Sequence, residues 1–174
     1  IKSFFLKDFI NDKGELYTIK SPLEDRVAEI TSDVITSEID YTESIKSMSV
    51  SRKQIQKIFE RNGTLYEFGP PPVLWSKKVV EDFYENYLLK NKLTYVDIIK
   101  NVPLEYNWYG EWLLKSKCIP LNPIEPLFKN ISNKSQYDSL LEKQITKDDL
   151  AKSYLGINIQ TNWSAETGVL DYEL

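Results

Sequence analysis

Val79-Val80-Glu81-Asp82-Phe83-Tyr84-Glu85-Asn86-Tyr87-Leu88 repeats apolar side chains every three or four positions, the spacing that lines one face of a 3.6-residue helix. Val79, Val80, Phe83, Tyr84, Tyr87 and Leu88 make a broad apolar face, and Lys77, Lys78, Glu81, Asp82 and Glu85 stay outside it. Ser76 is placed to cap this helix, and Lys77 with Glu81 can form an exposed pair one turn apart. Thr94 caps a second, shorter helix carrying Tyr95, Val96, Ile98 and Ile99, which must finish before Pro103. A third helix runs from about Tyr106 to Lys117, with Trp108, Trp112 and Leu113 one or two turns apart. Three of the four tryptophans, Trp75, Trp108 and Trp112, lie between Val73 and Cys118. That stretch is expected to form the centre of the fold.

Upstream, Ser21-Pro22-Leu23-Glu24 reads as a helix start, with Ser21 as cap, Pro22 at the first helical position and Glu24 completing a capping box. Leu23, Val27, Ile30 and Val34 then form one narrow apolar stripe, with Glu24, Asp25, Glu29 and Asp33 opposite. From Ser37 to Val50 the pattern loosens into a loop with a short element near Tyr41 to Met48. A second helix is expected from about Ser51 to Arg61, stopped at Asn62-Gly63. Thr64 to Phe68 is a short strand candidate, and Pro70, Pro71 and Pro72 must be extended. At the start of the chain, Asn11-Asp12-Lys13-Gly14 has the chemistry of a hairpin turn between Ile1–Ile10 and Glu15–Lys20.

Downstream, Ile119-Pro120-Leu121-Asn122-Pro123-Ile124-Glu125-Pro126-Leu127-Phe128 alternates prolines with apolar residues, the pattern of a segment that straps over a surface. A helix from Ser135 to about Ile145 follows. Thr146 with Asp149 starts another, ended by Gly156. The expected class is mainly α, in an α+β arrangement with a short N-terminal hairpin and proline-rich extended connections. Residues 1–20 read as a hairpin or arm, 21–156 as a helical domain and 157–174 as a tail.

Composition bounds the chemistry. The 174 residues are 41% hydrophobic and 28% charged, values of an ordinary globular domain able to bury a core. The net charge of −4 supplies no basic field for nucleic acid or acidic lipid. Arg26, Arg52 and Arg61 are the only arginines, which disfavours bidentate reading of phosphate or guanine. Histidine is absent, which removes histidine-based triads, acid–base catalysis and metal ligation. Cys118 is the only thiol, so no disulfide closes within the chain, and a reducing compartment (cytoplasm or organelle matrix rather than secretion) is expected. No apolar run reaches the roughly 20 residues of a membrane span. Ile1–Ile10, broken by Lys2, Lys7 and Asp8, does not read as a signal-peptide core. Four Asn-x-Ser/Thr tripeptides begin at Asn62, Asn130, Asn133 and Asn162 and are read as chance. Neither dinucleotide nor P-loop glycine pattern occurs among six glycines.

What remains for catalysis is carboxylate chemistry: Glu81 with Glu85 beside Asp82, Asp148 with Asp149, and Glu38 with Asp40. Acidic pairs at such spacings are commonplace on solvated faces. For nucleic acid, Leu93 to Lys117 has helix–turn–helix proportions and Ser51–Arg61 is locally basic, but Trp108, Tyr109 and Trp112 read as core rather than as a recognition face. The reading that remains is a non-enzymatic structural or interaction subunit of a protein assembly, with no cofactor and no metal. Nucleic-acid binding and a carboxylate-dependent hydrolase are the alternatives. The contact residues expected for protein subunits are Leu23, Val27, Ile30, Val34, Pro71, Pro72, Trp75, Pro123, Ile124, Leu127, Phe128 and Trp163.

Overall fold

A computed structural model describes residues 2–5, 10–32, 41–69, 73–124, 128–131 and 134–159. The fold is mainly α with some β. Its centre forms where the aromatic periodicity places it. Helix α3 (Lys77–Phe83) runs into a π-helical turn (Tyr84–Leu88) and a last turn, α4 (Leu89–Asn91), and is followed by α5 (Tyr95–Asn101) and α6 (Glu105–Ser116). Val79, Phe83, Leu88, Ile98, Trp108, Trp112 and Leu113 pack there with Ile55 and Phe59. Phe59 meets Phe83, Tyr87 and Trp108 edge-on, with centroids 5.0–6.1 Å apart, the geometry that aromatic quadrupoles favour. The π turn was not foreseen. It explains why Leu88, five residues after Phe83, returns to the buried face while Tyr84 is turned outward, although it was expected on the apolar face.

Capping divides in the same way. Thr94 caps α5 as expected, and Asp97 makes the cap a reciprocal capping box. Ser76 precedes α3 but makes no side-chain cap. The Lys77–Glu81 pair forms at 3.3 Å.

Two helices precede this centre, α1 (Leu23–Ser32) and α2 (Tyr41–Ile58). Instead of a loop before Val50, α2 is continuous for 18 residues. Its serines and threonines are weak helix formers, but Ile45 and Met48 pack against Leu23, Val27 and Leu65, and Ile55 reaches the aromatic core. Tertiary packing overrides local propensity. Ser21 and Pro22 are also not the first turn of a helix. They form strand β3 (Ser21–Pro22), antiparallel to β4 (Tyr66–Glu67), and α1 begins one residue later.

Gly110 sits inside α6 for a steric reason. A Cβ there would lie 2.0 Å from Phe68 Cγ, so only glycine lets the Phe68 ring rest on the helix backbone.

The expected N-terminal turn exists: Asn11 Oδ1 accepts from the Lys13 and Glu15 amides, and Gly14 takes φ +74°. A single antiparallel bridge, Ile10–Leu16, closes it. The neighbouring strands find partners further away. Strand β1 (Lys2–Phe5) pairs antiparallel with β7 (Gly156–Ile159), and β2 (Thr18–Ile19) pairs parallel with β5 (Pro123–Ile124). Strand β6 (Phe128–Ile131) lies parallel to β7 on its other side, giving the sheet order β1-β7-β6. The β6–β7 crossover carries α7 (Lys134–Glu142) and α8 (Lys147–Ala151), whose Tyr137 and Leu150 cover Ile131, Ile157 and Ile159. The residues expected to begin a tail are thus the middle strand of the sheet. Gly156, expected to end the last helix, sits in register with both Phe5 and Phe128.

Candidate functional site

Helices α3, α5 and α6 splay just enough to leave a groove of about 210 Å³ between them. Phe83, Ile98 and Trp108 form its buried floor, and Trp75, Tyr95, Ile99 and Glu105 rise around it. The chain entering α3 lays the Trp75 indole on Tyr109, nearly parallel at 6° and 5.5 Å between centroids. Tyr109 Oη in turn accepts a hydrogen bond from the Ser76 amide (2.9 Å), which fixes the wall to the helix start. On the opposite wall Tyr95 donates to the Val80 carbonyl (3.2 Å) and stacks on Tyr84. Burial pushes the Tyr95 and Tyr109 phenols up from their ordinary range, so both are neutral near pH 7.

The surrounding surface is apolar as well. Trp75 remains 45% exposed, Tyr84 43%, Tyr95 41% and Val96 59%. Four large apolar side chains on seven-residue α5 are more than one buried stripe can absorb: Ile98 goes inward while Tyr95, Val96 and Ile99 stay out.

Of the contact residues expected from sequence, Trp75 is the one that belongs to this groove. Leu23 and Val27 are buried with Leu65 inside this chain, and Phe128 packs with Ile19 and Leu155, so all three are core rather than contact surface. Pro123 is exposed, and with Ile124 it forms β5. Ile30 belongs to α1, but its side chain is outside the described set, and Val34, Pro71, Pro72, Leu127 and Trp163 lie outside the described residues. Sequence reasoning missed Tyr95, Ile99, Glu105 and Tyr109. The surplus of apolar residues on the short α5 was the available signal.

Three of the acidic candidates are occupied. Glu81 pairs with Lys77, and Asp82 accepts the Trp112 indole N–H (2.9 Å). Asp149 is held well below the usual carboxylate range by Lys152 and by the Thr146 cap. Glu38 and Asp40 lie outside the described residues. The basic stretch Ser51–Arg61 also turns inward: Arg52 binds buried Glu67, and Arg61 binds buried Glu111 through two nitrogens. Lys53 and Lys57 are what remains of its outward charge. Among the described residues Glu67 Oε1 and Asn107 Nδ2 are the buried side-chain polar atoms without a protein partner. In the same set, no three Cys, Asp or Glu side chains gather as a metal site would need.

A second concavity, about 490 Å³, is lined by Leu113, Leu114, Lys117, Cys118, Ile119 and Pro120 at the end of α6. Cys118 is half-buried there. The tripeptide at Asn130 is spent on the sheet, since Asn130 Nδ2 donates to Phe128 O while its Oδ1 accepts from Asn158. Among the described residues no helix is long and apolar enough to cross a membrane. Compared with known proteins, the chain matches no family model, and no curated sequence or solved structure is significantly similar to it.

Proposed function

We propose that this chain is a non-catalytic, protein-binding component of a larger assembly, and that its partner docks on the α3–α5–α6 groove. The observation that carries this is the aromatic groove, with exposed Trp75 and Tyr95 in its lining and exposed Tyr84 and Val96 next to Tyr95, built on the buried aromatic core. Exposed aromatics grouped on a rigid floor are the residue types that dominate binding energy at protein interfaces. The rest of the molecule supports the same reading. Its buried carboxylates Glu67 and Glu111 are each paired with an arginine, which suits a structural role. Half of α6 is buried, including Trp108 and Trp112, and its first turn opens on acidic Glu105, which suits a recognition helix poorly. A single thiol and no histidine suit a structural role in a reducing compartment.

Selection from a random peptide display library tests the reading. The enriched peptides should lose at least about tenfold in affinity for purified chain on Trp75→Ala, as for a hot-spot aromatic, with the melting temperature unchanged. A library yielding only peptides indifferent to Trp75 and Tyr95 would contradict it.

A further inference from the structure

The groove is too small for a cofactor. About 210 Å³ falls below the roughly 300–1,000 Å³ of pockets that enclose drug-sized ligands, and suits one long side chain. Five aromatic rings line it: Trp75, Phe83, Tyr95, Trp108 and Tyr109. Ring faces carry the negative end of the aromatic quadrupole. The one formal charge on the lining is the Glu105 carboxylate, which sits exposed at the start of α6, and no lysine or arginine lines the groove. The Tyr95 hydroxyl proton is spent on Val80 O, which leaves it nothing to offer an anion. Lys77 is paired with Glu81, and Lys78 and Lys100 stand outside the lining.

We infer that the groove accepts a lysine side chain from the docked partner, with its methylenes between Trp75 and Tyr95 and its ammonium near Glu105. This rests on the docking reading and adds the chemistry of the anchor. An aliphatic stem with a cationic tip matches apolar walls that end in a single carboxylate better than a purely apolar side chain does, because the tip stays at the wet rim while the stem is buried. Other interfaces could use a leucine in such a slot; here the anion at the rim decides the preference.

The test uses the full chain and two small probes, n-butylammonium chloride and n-butanol, which share the lysine stem and differ in charge. Binding is followed by the Trp75 indole N–H and Tyr95 ring resonances. Butylammonium should bind roughly three- to tenfold more tightly than butanol, the range expected for a partly exposed cation over aromatic faces. That preference should shrink in Glu105→Gln and with added salt. Equal binding of the two probes overturns the lysine assignment and leaves the docking reading standing. If neither probe moves these resonances, the assignment also falls, and the library selection then decides separately whether the groove docks anything.

Discussion

At the scale of single residues, two long-range contacts set the energetics. Gly110 gives up helix propensity of about 1 kcal/mol relative to alanine, yet a methyl group there would collide with the Phe68 ring. Gly110→Ala is therefore expected to destabilise the fold by about 2 kcal/mol in urea denaturation, within the range for overpacking, although alanine is the better helix former. Arg61 and Glu111 are 50 positions apart in sequence and meet through two hydrogen bonds. Glu111→Gln should cost about 2 kcal/mol because it removes the charge from this two-bond pair, while Arg61 keeps its bonds to the Asn62 and Thr64 carbonyls. In a double-mutant cycle, combining it with Arg61→Met should cost less than the sum of the single changes. Neither contact was legible in the sequence. In the helix expected over Ser51–Arg61, Arg52 and Arg61 read with the lysines as one basic stretch, because their acidic partners, 15 and 50 residues away, are brought to them only by the tertiary fold.

At the scale of elements, the helix starts at Thr94 and Thr146 were legible because their determinants lie within four residues, whereas Ser21–Pro22, with the same local signal, is drawn into a strand by Tyr66–Glu67. Thr94 with Asp97 and Thr146 with Asp149 form as the sequence spacing requires. Both carboxylates are held below their ordinary range, Asp97 chiefly by Thr94 and Asp149 chiefly by Lys152. A carboxyl whose pKa is lower in the folded state stabilises fully above the unfolded value of about 3.9. That contribution disappears as the pH falls through the lowered folded value. Stability should therefore fall on acidification below about pH 5, and Asp149→Asn should flatten that acid limb in a series of melts at different pH. An acid limb unchanged by the substitution would show that the cap does not contribute. Elements stabilised from a distance were harder to read. The first turns of α2 carry few apolar residues, and only packing against Leu23 and Val27 makes them helical. Strand β7 is four residues long and buried along its whole length, Asn158 included, so its brief Ile-Asn-Ile alternation was too short a signal to mark it.

At the scale of the whole molecule, β7 joins what the sequence keeps apart. It holds residues 2–5 on one side and 128–131 on the other, and Asn158 Nδ2 donates a buried hydrogen bond of 2.8 Å to Asn130 Oδ1 that fixes the parallel register. Ile157→Ala should cost about 3 kcal/mol, within the range for a large-to-small change at a fully buried site. It should also raise hydrogen exchange at the amides of β1 and β6 together. Exchange that rises in β6 alone would mean that the sheet does not act as a unit. The groove lies on the helical centre, away from this sheet, and its exposed aromatics define the face assigned to a partner. Hydroxyl-radical footprinting, comparing the purified chain with the chain in its native assembly, tests that assignment most directly. Oxidation of Trp75 and Tyr95 should be strong in the free chain and suppressed in the assembly, while exposed Leu141 is oxidised equally in both. Equal oxidation of Trp75 and Tyr95 in the two states would contradict it.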